Sequence, residues 1–75
     1  MINFEYKGFL GTYQIKKLTN NLYSANGNVR KKNDSDSQAK KFYTENLNEQ
    51  ATQKDILNQM ERYVDFEIQQ AEIRN

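Results

Sequence analysis

The side chains able to do chemistry in this 75-residue chain are carboxylates, amines, amides and phenols, because it contains neither histidine nor cysteine. Imidazole and thiolate are the usual ligands of zinc, haem and iron–sulfur centres and the usual bases and nucleophiles near neutral pH, so those chemistries lack donors here. What remains for catalysis is acid–base work by paired carboxylates. The acids of the C-terminal third, Asp55, Glu61, Asp65, Glu67 and Glu72, are interleaved with amides and with Lys54, Arg62 and Arg74, the pattern of a solvated face. Asp34-Ser35-Asp36-Ser37 has the look of a cation loop but lacks the glycine and distal glutamate that close an EF-hand. No glycine-rich phosphate motif is present either. The chain is therefore read as non-catalytic, with no cofactor, no metal and no catalytic residue.

Binding chemistry has two candidate locations. Arg30, Lys31 and Lys32, with Lys40 and Lys41 across a polar loop, could bracket a phosphate backbone if the loop folds the two runs together. Asp34 and Asp36 in the same loop oppose that reading, no aromatic is interleaved with the cations, and a net charge of +1 offers no global attraction to nucleic acid. The second location is apolar. Phe66 and Ile73 fall seven residues apart on one line of a helix, on the side away from its packing stripe, with Tyr63 at the border. Two large apolar groups there have no role in covering a sheet and mark a protein interface.

The elements that position these groups follow from periodicity. Residues 2–18 are rich in aromatic and β-branched residues and alternate in polarity as a half-buried strand does, but the phase slips between Phe4 and Tyr6 on one side of Gly8 and Phe9, Tyr13 and Ile15 on the other. A bulge or sharp bend at Gly8 would restore a common face. Thr19, Asn20 and Asn21 supply a turn, and residues 22–30 resume the alternation with Tyr23, Ala25 and Val29 on one side, which makes a hairpin. Residues 31–38 are a polar loop, and residues 39–47 form a third strand in which either Phe42 or Tyr43 faces inward.

A helix is predicted over residues 53–73. Thr52 followed by Asp55 resembles a capping box, and Ile56, Leu57, Met60, Tyr63, Val64, Ile68 and Ala71 make one broad stripe. Glu67 sits near the centre of that stripe and would need a tyrosine hydroxyl or a lysine from the sheet. The expected fold is α+β: a two-layer sandwich of a three-stranded antiparallel sheet followed by one long C-terminal helix, in a single domain over residues 1–75.

A domain this short buries too little surface for a large margin of stability, and without disulfides or metal its natural supplement is a homo-oligomer, a dimer in the first instance. No leader and no apolar run long enough to span a bilayer is seen, so the expectation is a cytoplasmic protein without a membrane partner.

Tyr6-Lys7-Gly8-Phe9, Gly11-Thr12, Leu22-Tyr23 and Gly27-Asn28-Val29 resemble the opening hairpin of HicB-like antitoxin domains, and Asp55-Ile56-Leu57 to Val64-Asp65-Phe66 is similar to that family's helix. The resemblance implies a partial ribonuclease H-like fold that binds a small toxin and oligomerises. It covers the antitoxin domain without the DNA-binding segment that usually follows, and the polar stretch 31–38 departs from the family pattern. The function expected on these grounds is a small protein-binding or regulatory module, with a nucleic-acid-binding accessory protein as the alternative.

Overall fold

Lys7 and Gly8 set the topology. Both take positive φ, 50° and 86°, and they join β1 (Ile2–Tyr6) to β2 (Phe9–Thr19) in a two-residue hairpin with Tyr6 opposite Phe9. Two left-handed residues in succession match the right-handed twist of the flanking strands, and glycine takes the second position at no steric cost. The phase slip at Gly8 is thus a chain reversal and not a bulge, so the expected first strand of residues 2–18 is two strands. Across such a turn the even residues of one strand lie beside the odd residues of the next, which returns Phe4 and Tyr6 to the face of Phe9 and Tyr13.

The computed structural model describes residues 1–33 and 38–74. It continues with β3 (Leu22–Lys31), β4 (Lys40–Asn46) and α1 (Glu49–Arg74). The sheet is a four-stranded antiparallel meander in the order β1-β2-β3-β4, where three strands are expected from the sequence. The Thr19–Leu22 turn lies where its Asn residues place it, with the Thr19 hydroxyl accepting from the Asn21 backbone N–H. Asp34–Ser37, the residues resembling a cation loop, lie outside the described residues.

Helix α1 begins four residues before the expected start. Asn48 is its cap: the Asn48 Oδ1 accepts from the Ala51 N–H at 2.7 Å, the geometry that satisfies an otherwise unpaired first-turn donor. Thr52, expected as the cap, is fully buried inside the helix, and its hydroxyl donates to the Asn48 carbonyl at 2.7 Å. Asn and Thr are both good caps, and the choice falls to Asn48 because Thr52 is needed against the sheet. Asn48→Ala should therefore lower stability by about 1 kcal/mol. A denaturation midpoint that does not move would place the helix start elsewhere.

The core is Phe9, Tyr13, Ala25, Val29, Ile56, Met60 and Val64. On the helix the buried residues Thr52, Ile56, Met60 and Val64 recur at every fourth position, and such a row drifts by about 40° per step. The helix consequently crosses the strands obliquely. Near its start Asp55 meets Asn46 of β4, and farther on Asp65 meets Tyr6 and Lys7 at the β1–β2 turn. Past that turn the sheet ends and the helix continues. Ala71, placed on the packing stripe by periodicity, is therefore exposed, and Ile68 is half-buried. No helix among the described residues is long and apolar enough to cross a membrane.

Candidate functional site

Register resolves the ambiguity in β4. Ala25 lies opposite Thr44 and Gly27 opposite Phe42, so Phe42 points to the helix and Tyr43 to the open face. Phe42 packs edge-to-face on Tyr63 with ring centroids 5.6 Å apart. That contact, with the Asn46–Asp55 hydrogen bond, identifies one flank of α1 as the β4 flank. The opposite flank is marked by Gln53, whose Nε2 donates to the buried Tyr13 phenol at 2.9 Å, and by Asp65.

Phe66 and Ile73 lie on the side of α1 away from the sheet: Phe66 follows the buried Val64 by two residues, about 160° round the helix, and Ile73 follows Phe66 by seven, within about 20° of the same line. They are 55% and 71% exposed, large values for apolar side chains of this size. Two further residues, not singled out from the sequence, join them: Tyr43 is 52% exposed and Leu47, just beyond β4, is 71% exposed. Tyr43 is invisible to sequence reasoning because its neighbour Phe42 competes for the inward position. For Leu47, the available signal is a lone apolar residue between two asparagines.

The expected basic cluster is gathered at one end of the sheet but divided between its faces. Lys31 and Lys40 lie on the helix side, Arg30 and Lys41 on the open side, and Lys32 holds Glu5 at 3.0 Å. The open face between them is polar. A shallow depression of about 260 Å³ there is lined by Thr12, Gln14, Asn26, Asn28 and Lys41 together with the apolar Met1, Tyr13 and Phe42.

Electrostatics are local. The hydrogen bond from the Lys7 ammonium, at 2.9 Å, holds the Asp65 carboxyl below its ordinary value, and Asp65 in turn raises Lys7. Burial pushes the Tyr63 phenol up, and the Glu67 carboxylate one turn on adds to the shift. The Tyr43 phenol, hydrogen-bonded to Glu45, is also raised. No three histidine, cysteine, aspartate or glutamate residues come together as a metal site among the described residues.

Comparison with known proteins gives no significant match to a family model, to a curated protein or to a solved structure.

Proposed function

We propose that the protein is a small non-catalytic binding module that acts through protein–protein contact along the Tyr63, Phe66 and Ile73 flank of α1, working as a homodimer in the cytoplasm. The observation that carries this reading is the exposure of Phe66 and Ile73 on a helix that outruns its own sheet. Burying both against a partner would contribute roughly 3 to 5 kcal/mol before the entropy cost of association, a large sum beside the small core of the domain. A regulatory role of the antitoxin kind accords with the resemblance of the hairpin and helix to HicB-like domains.

Phe66→Gln combined with Ile73→Gln tests the reading. The wild-type protein should be a dimer or larger at micromolar concentration in light scattering, and the double variant a monomer with its helical circular dichroism intact. A wild-type monomer at every concentration, or a double variant that unfolds, would overturn it. The alternative, a nucleic-acid-binding accessory protein using Arg30, Lys31, Lys32, Lys40 and Lys41, draws on their lying at one end of the sheet, on both of its faces. Binding of that kind would fall steeply with added salt.

A further inference from the structure

We infer that the partner is a second copy of this chain, joined edge to edge through β4 in antiparallel register about a two-fold axis at Tyr43, so that two four-stranded sheets become one of eight. This rests on the reading of the helix flank as a protein contact surface and states which strand edge accompanies it.

The first observation is where the stray apolar groups lie. Tyr43 and Leu47 lie on β4 or just beyond it and Phe66 and Ile73 on the exposed side of α1; the other exposed large apolar residues are Met1 and Ile2 at the start of β1 and Leu18 at the end of β2. At the other edge, the flank of α1 presents Asp65, already engaged by Tyr6 and Lys7.

The second observation is charge. A strand edge offers unpaired backbone donors and acceptors, and adjacent lysines such as Lys40 and Lys41 ordinarily keep such an edge from pairing. In a two-fold register centred on Tyr43 that obstacle disappears. Lys41 then lies opposite Glu45 of the second copy, Lys40 opposite Asn46 and Phe42 opposite Thr44, with no like charges facing one another. Glu45 keeps a second oxygen for the incoming lysine while it accepts from Tyr43.

The third observation is geometric. Helix α1 packs chiefly over β3 and β4, about one strand spacing, ~5 Å, from such an axis. Two related helices would then approach to roughly 10 Å where each lies over β3 and β4, an ordinary helix-packing distance. Strand and helix also keep step. From Phe42 to Asn46 the strand advances by about 13 Å, and from Tyr63 back to Asp55 the helix moves about 12 Å. Carried onward, the level of Ile73 lies some 15 Å past Tyr63, about 18 Å from the axis, which carries it to the end of the second copy where Leu47 lies about 13 Å from the axis. Ile73 and Leu47, each 71% exposed, are thereby brought to within about one helical turn, roughly 5 Å, in height from opposite protomers.

The absence of cysteine makes the axis directly testable. Residues facing one another on neighbouring antiparallel strands have Cα atoms about 4.5 to 5.5 Å apart, within disulfide reach. Tyr43→Cys should cross-link to a covalent dimer under mild oxidation with glutathione disulfide, at least tenfold faster than Asn3→Cys on the β1 edge. In sedimentation, Lys41→Glu and Glu45→Lys should each weaken the dimer by about tenfold, and the pair together should restore it to within about threefold. Equal cross-linking of the two cysteine variants, or a double swap no better than the singles, would overturn the β4 register. If the Phe66→Gln/Ile73→Gln variant still dissociates in that case, the helix-flank reading survives and only the strand edge is wrong. A monomeric wild type removes both.

Discussion

Met60→Ala is expected to unfold most of the protein at 25 °C. Met60 has no exposed surface and sits midway along the buried row of α1, between Ile56 and Val64, with its sulfur over Gly27 of β3. Truncating a buried methionine costs about 2 to 5 kcal/mol, through lost burial and through the cavity left behind. A domain of this length with no disulfide has a total stability of only about 3 to 5 kcal/mol. The loss is comparable to the whole. Met60→Leu, which nearly conserves volume, should cost less than about 1.5 kcal/mol and serves as the control. Urea titration followed by circular dichroism distinguishes the two, and a Met60→Ala protein that melts with the wild type would show that α1 is not seated on β3 through this residue.

Gly27→Val tests the same contact from the sheet side. A Cβ at Gly27 would lie 2.9 Å from the Met60 sulfur, 3.1 Å from the Thr12 carbonyl oxygen and 3.2 Å from the Tyr13 Cβ. The carbonyl belongs to the backbone of β2 and the sulfur is fully enclosed, so neither yields cheaply. Overpacking of this kind costs about 1 to 3 kcal/mol, and valine, with two further methyls to place, should reach the upper part of that range despite its better strand propensity. Gly11 is the instructive comparison. A Cβ there would run into the far end of the Phe4 ring, but that ring stands half-buried at the sheet margin and can swing aside. Gly11→Ala should accordingly cost less than Gly27→Val at an unchanged denaturant slope. The reverse order would mean that Phe4, and not Met60, is the rigid member of the core.

The α+β class, the Thr19–Leu22 turn, the inward set Tyr23, Ala25 and Val29 and the long amphipathic helix were all legible in the sequence, because each is encoded by residues next to one another along the chain. Alternation of period two and a stripe of period 3.6 need no knowledge of what lies opposite. The exposure of Phe66 and Ile73 was legible for the same reason, being a matter of angle around one helix. Four features were decided only by tertiary structure. Gly8 as a bulge and Gly8 as a turn predict the same slip in polarity, and only the pairing of Tyr6 with Phe9 separates them. The helix start depended on whether Asn48 or Thr52 was wanted against the sheet, a question of packing. Phe42 and Tyr43 are equivalent by composition, and their sides were settled by register with Ala25 and Gly27. The exposure of Ala71 follows from where the sheet ends beneath the helix, a length set by strands that lie far from Ala71 in sequence. Local pattern specifies which face of an element is apolar, and contact between elements specifies how much of that face is used.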